Sequence, residues 1–143
     1  MEAVGADSLR RIPFFAGLSD EDLDGVRTVG TSVSFAPGET IVREGETGDA
    51  MFVVLSGSAE VDVGGRYHTL GPGDFFGEMA LVAARRRTAT VKAAADVRAM
   101  RIPADGFHAF LLAHPAIAVA MLRAVVERLG EVQARIDAWM GNG

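Results

Sequence analysis

The chain has 143 residues, 49% hydrophobic and 23% charged, which is the length of one domain and the composition of an ordinary globular protein. Its formal net charge of −5 argues against a general nucleic-acid binder, because affinity for a phosphate backbone needs a basic surface. Cysteine is absent, which removes disulfides, thiolate nucleophiles and cysteine-ligated zinc.

The N-terminal stretch MEAVGADSLRRIPFF has no apolar signal core, and no run approaches the ~20 apolar residues of a membrane span. The expectation is a cytoplasmic protein without a membrane segment. Residues 1–30 read as a helical part. Pro13, Phe14, Phe15 and Leu18 make a compact apolar hinge, and Ser19-Asp20-Glu21-Asp22 is a helix start with acids in the first turn.

Residues 31–102 read as β. Short runs recur (TSVSF, ETIVR, AMFVVL, SAEVDV, RYHTL, TATVKA, VRAMRI), punctuated by PGE, GETGD, SG, GG and GPGD. Those turn residues supply the positive φ and turn initiation that hairpins require. SAEVDV alternates, with Ala59, Val61 and Val63 on one face. Many short antiparallel strands with glycine-rich turns imply a small barrel or jelly roll.

Residues 103–140 read as helical again. Phe107, Phe110 and Leu111 mark one amphipathic helix, and Pro115 suits the first position of a second. In that second helix Leu122, Val125, Leu129, Val132, Ile136 and Trp139 are spaced 3-4-3-4-3, a short heptad seam. It folds back on the β region or pairs with a second chain. The whole is expected to be a single domain over residues 1–143.

Between Asp74 and Arg87 the strand pattern breaks. GEMALVAA suits about two helical turns opening at Gly77, and free backbone N–H groups at such an opening favour an anion. Glu78 is expected to accept hydrogen bonds from ligand hydroxyls while an arginine neutralises the anion, a pairing that fits a sugar phosphate. By spacing alone the competing account stands: Glu78 serves the helix dipole, and Arg85-Arg86-Arg87 is a solvated loop.

The wording FGEMALVAARRRTATVKA, residues 76–93, resembles the phosphate-binding cassette of cyclic nucleotide-binding domains, as found in the catabolite activator protein, protein kinase A regulatory subunits and cyclic nucleotide-gated channels. Phe76 to Leu81 match the first half of the family pattern and Arg87 to Ala93 the second. The resemblance continues through Gly45, Gly48-Asp49, Phe52, Gly57 and Gly71-x-Gly73-Asp74. It implies an α+β fold, an antiparallel, jelly-roll-like β-roll with N-terminal helices and two C-terminal helices. It also implies that Glu78 binds a ribose 2′-hydroxyl and Arg87 the cyclic phosphate. The backbone of Gly77 and Ala80 would line the phosphate, with Thr88 beside it or near the base, and Phe76, Met79 and Ala89 completing the site. Arg86 departs from the proline often found before the key arginine.

Other chemistries find little support. His68, His108 and His114 are scattered without metal-ligand spacing, Gly71-Pro72-Gly73 lacks a dinucleotide fingerprint, and Ser56 and Ser58 form no nucleophile elbow. Neither a catalytic residue, a metal nor a cofactor is expected. Trp139 is expected at a helix interface rather than over a bound base. The implied function is a non-catalytic sensor of cAMP, in preference to cGMP, that moves its C-terminal helix on binding. The partners expected are the nucleotide and a second copy through that helix, with no nucleic-acid contact, since no helix-turn-helix follows. The alternative is a degenerate β-roll that serves only protein association.

Overall fold

The structure, a computed structural model, describes residues 9–12, 15–78 and 86–141. Helix α1, Asp20–Val29, begins where Ser19 caps it: the Ser19 hydroxyl accepts from the Asp22 N–H at 3.1 Å, and Asp20, Glu21 and Asp22 face the positive end of the helix dipole. Phe15, Leu18, Leu23 and Val26 are buried, so the apolar hinge is core; Pro13 and Phe14 lie outside the described residues.

The strands that follow are β1 (Thr31–Phe35), β2 (Thr40–Val42), β3 (Ala50–Ser56), β4 (Ala59–Val63), β5 (Arg66–Leu70), β6 (Phe75–Phe76), β7 (Thr90–Ala93) and β8 (Val97–Pro103). They form two four-stranded sheets, ordered β1-β8-β3-β6 and β2-β7-β4-β5, with every pairing antiparallel. This is the β-roll, followed by helices α2 (Phe107–Ala113) and α3 (Pro115–Gly141).

Residues 50–54, the start of β3, are buried without a break because both faces of that strand are covered. Ala50, Phe52 and Val54 point into the roll with Ala59, Val91, Ala93, Val97 and Ala99. Met51 and Val53 point the other way, onto Leu23, Val26, Met100, Phe107 and Ile117 beneath the helices. In β4, Ala59 is buried and Val61 partly so, while Val63 at the open end is 45% exposed. Gly57, which turns β3 into β4, has φ +85°, and a Cβ there would overlap the Asp96 carbonyl. Only glycine fits that crossing.

Strand β6 was not predicted from sequence, since two residues carry no readable period. A turn builds it. The Asp74 carboxylate accepts from the Gly71 N–H at 2.8 Å, and Gly73 and Asp74 each exchange a backbone hydrogen bond with Val54 at 2.8 Å. Phe75 then joins the outer core and Phe76 the inner one.

The heptad seam needs correcting by one position. Val125 packs against the core, together with Met121 and Ala124, so it is not on the exposed stripe. Among the described side chains, the large exposed apolar residues of α3 are Val119, Leu122, Val126, Leu129 and Ile136, a second 3-4-3-7 register carried by the neighbouring valine. Leu122, Leu129 and Ile136 therefore do not fold back on the roll. The side chains of Val132 and Trp139 lie outside the described residues. Among the described residues, no single helix is long and apolar enough to cross a membrane.

Candidate functional site

A cleft of about 150 Å³ opens on the roll between Gly77-Glu78 and Arg86-Ala89. Its apolar wall is Val42, Val61, Val91 and the edge of Phe76; its polar rim is Glu78, Arg86, Arg87 and Thr88. Phe76 is a floor more than a contact surface. It is 7% exposed and its ring stacks on Phe52 at 5.2 Å between centroids.

The backbone of Arg87 is held by the turn between β2 and β3. Its N–H donates to the Glu46 carbonyl at 2.7 Å, and its own carbonyl accepts from the Gly45 N–H at 2.9 Å. That clamp aims the side chain back across the cleft floor, where Nη2 donates to the Ala50 carbonyl at 2.7 Å. Burial pushes the guanidinium below its usual pKa; Asp49, Glu78 and Glu46 oppose the fall and Arg101 adds to it. An arginine stays cationic through such a shift. The result is a half-buried, oriented positive charge with donors left for a ligand.

Gly77 faces this charge. Its φ is +80°, and a Cβ there would overlap the Arg87 guanidinium and come within 2.9 Å of the Ala50 carbonyl oxygen. The glycine serves both the left-handed backbone and the close approach. Arg86 does something different. It is exposed, its Nη1 donates to the Gly45 carbonyl at 2.9 Å, and its backbone bridges to Thr47. Thr88 is exposed and Ala89 half-buried at the same rim. Met79 and Ala80 lie outside the described residues, as does the predicted helix beyond Glu78.

The structure thus brings Phe76, Gly77, Glu78, Arg87, Thr88 and Ala89 around one cleft. It adds Val42, Val61 and Val91 in the wall, which the sequence reading did not assign to the site, and it brings Arg128 of α3 against Glu78. Arg128 Nη2 donates to the Phe75 carbonyl at 2.7 Å, its guanidinium carbon lies 3.7 Å from the Phe75 ring centroid, and Nη1 is 3.5 Å from Glu78 Oε1. A cation over an aromatic face contributes about 0.5–1 kcal/mol when partly exposed. The available signal was a charged residue in phase with Ile117, Met121 and Ala124, on the inward stripe of an apolar helix. Asp49, one of the groups acting on Arg87, accepts from Arg101 Nη2 at 3.1 Å.

Chemically, the cleft offers a fixed cation and a carboxylate on either side of a side-chain-free backbone, over an apolar wall. That is equipment for recognising a ligand with an anion, hydroxyls and a flat apolar part. Among the described residues no group of three or more His, Asp or Glu is placed to hold a metal.

Comparison with known proteins agrees with this geometry. The chain is 35% identical over 106 residues to a cAMP-dependent protein kinase regulatory subunit from Aspergillus fumigatus, covering 72% of this chain and 26% of that protein. It spans about a quarter of that relative's length. Among solved structures it is similar to the catabolite activator protein of Thermus thermophilus, with TM-score 0.78 and 28% identity, covering 90% of this chain and 63% of that one. It is also similar to cAMP-bound PfPKA-R, with TM-score 0.73 and 26% identity, covering 94% of this chain and 45% of that one. The family model of the cyclic nucleotide-binding domain matches residues 32–114, from β1 to the end of α2 and across the whole cleft. With fold, site and family model in agreement over more than half its length, the chain belongs to the cyclic nucleotide-binding domain family.

Proposed function

We propose that residues 1–143 act as one non-catalytic sensor of a 3′,5′-cyclic mononucleotide, cAMP in preference to cGMP. Arg87 takes the cyclic phosphate, Glu78 the ribose 2′-hydroxyl, and the backbone of Gly77 and Ala80 lines the phosphate. Met79 belongs to the same cassette, Phe76 and Ala89 close the cleft around the ligand, and Thr88 stands beside the phosphate or the base. The observation that carries this reading is the Arg87 guanidinium lying directly against Gly77, half-buried and already oriented by Ala50. A monoanionic diester seated there meets a preorganised charge-assisted donor and an unhindered backbone. The apolar wall of Val42, Val61 and Val91 supports a purine beside it. The preference for cAMP is supported by relatives whose names carry that nucleotide.

Binding energy spent at Glu78 and Arg87 biases the position of α3, so the ligand appears as a shift in helix population. The exposed stripe from Val119 to Ile136 supports pairing of two chains through α3. A thermal-shift series with cAMP, cGMP and 5′-AMP tests the reading. Stabilisation by the cyclic nucleotides, cAMP foremost, and far less by 5′-AMP is the expected result. Equal shifts for 5′-AMP and cAMP would point to a general nucleotide site, and no shift with either cyclic nucleotide would sink the proposal.

A further inference from the structure

Four residues stand in one row across the second sheet. Val42 pairs with Val91, Val91 with Val61 and Val61 with His68. Directly paired residues point to the same face, with Cβ atoms about 4.5–5.5 Å apart. The first three are the apolar wall of the cleft, so the fourth continues that wall as an imidazole. His68 is exposed, and β5 is the edge strand of its sheet, so the row ends there among the described strands.

The cleft, at about 150 Å³, is smaller than the roughly 300–1,000 Å³ of pockets that enclose a ligand. A nucleotide seated in it therefore extends past its edge, and the anion sets the direction. Arg87 is clamped to Gly45 and Glu46, just beyond β2, so the phosphate lies at the Val42 end of the row. A base directed away from that end crosses Val91 and Val61 and brings its far edge to His68.

We propose that His68 reads the six-position edge of the purine and so decides between adenine and an oxopurine. The proposal rests on the reading that the cleft takes a cyclic purine nucleotide. A neutral imidazole keeps one acceptor nitrogen, which can receive an N–H of the adenine amino group. An imidazolium has only donors; it suits O6 of guanine or hypoxanthine and leaves the adenine amino group without a partner. Histidine is the side chain that changes charge between about pH 5 and 8, so adenine is favoured above that range and an oxopurine below it. From β4, Ala59, Val61 and Val63 share the face of His68, and none of them titrates. Arg66 shares it from β5, and Glu78, Arg86 and Arg87 stand at the rim of the cleft. Those charges act alike on nucleotides with the same ribose and phosphate, so they cancel in a ratio of affinities.

The test compares cAMP with its inosine counterpart, cIMP, which differs only along that edge and lacks the guanine amino group. Calorimetric titrations at about pH 5.5 and about pH 8 bracket the histidine range. Wild type is expected to favour cAMP at the higher pH, and its cAMP-to-cIMP affinity ratio to fall about fivefold at the lower, the size of one neutral hydrogen bond. His68→Ala should hold the ratio within about twofold across the two pH values. His68→Lys, cationic at both, should give the low ratio at both. Because His68 is exposed, both variants should melt within a few degrees of wild type. A wild-type ratio that ignores pH, or one that His68→Ala leaves unchanged along with its pH dependence, overturns this inference alone. Wild type that binds no cyclic nucleotide at either pH defeats the functional reading, and this inference with it.

Discussion

The Arg87 guanidinium lies so close to the Gly77 α-carbon that any side chain there would overlap it. The two residues are 10 apart in sequence, on opposite lips of the cleft, and each defines where the other can be. Gly77→Ala has to leave its positive φ or push Arg87 off the Ala50 carbonyl. A left-handed backbone costs a non-glycine residue about 1–2 kcal/mol, which for a domain of this size lowers Tm by about 3–8 °C. The expected outcome is that loss together with at least about a tenfold loss of cAMP affinity, read by calorimetry. A variant with wild-type affinity would separate the glycine from the site.

Among the three consecutive arginines, Arg87 and Arg86 are expected to differ sharply. Arg87→Ala removes a half-buried, oriented cation and should weaken cAMP binding by about ten- to a hundredfold, corresponding to about 1.5–3 kcal/mol. Arg86 is exposed and spends a donor on the Gly45 carbonyl, so Arg86→Ala should change affinity by less than about threefold, as solvent-screened charges do. Competition binding against a fluorescent cyclic nucleotide measures both. If Arg86→Ala is the more damaging, the phosphate sits one residue away from the place assigned to it.

Thr88 sits exposed at the rim, free to meet a ligand from the solvent side. Its hydroxyl suits a guanine amino group that adenine lacks. Thr88→Ala is therefore expected to reduce cGMP affinity by a factor of about five, for one neutral hydrogen bond of about 1 kcal/mol, and to leave cAMP within about twofold. An unchanged cGMP-to-cAMP ratio removes Thr88 from base selection.

Val125 and Val126 make a sharper test of α3, because adjacent residues face opposite sides. Val125→Asp buries a charge against Met121 and Ala124, so it should lower thermal stability whatever the oligomeric state. Val126→Asp and Leu129→Asp place charge on an exposed stripe and should leave the melting temperature of the isolated domain within a few degrees. They should instead abolish self-association in sedimentation velocity. Wild type that stays monomeric at high concentration, with and without cAMP, would rule out pairing through this stripe.

Much of the fold was legible because its signals are local. The Ser19 cap, the glycine-marked turns and the alternation that starts β4 are decided within a few residues of themselves. The cassette was legible too, since both lips of the cleft fall within residues 76–93. What was not legible depends on distance or on phase. Strand β6 exists through a turn that clips Asp74 to Val54, 20 residues away. Val42 and Val61 join the cleft only once the roll closes. Two adjacent valines satisfy two heptad registers equally well, and only packing against Met121 and Ile117 decides which one turns inward. Arg128 reaches Glu78 across 50 residues, and an arginine in an amphipathic helix reads as surface until its neighbours are known.

Residues 129–141 carry α3 about 20 Å beyond Arg128, its last anchor among the described side chains, at about 1.5 Å per residue. Mechanically this is a lever with its fulcrum at Arg128. A tilt of about 10° there, hardly visible at the cleft, carries the tip by roughly 3 Å, enough to take apolar groups in and out of contact. Ile117, Met121 and Ala124 hold the helix before Arg128 on the core, so a bend at Arg128 leaves Val119 where it is. Whatever reads this domain from its tip therefore receives an amplified displacement, and whatever grips it at the base of the helix receives very little.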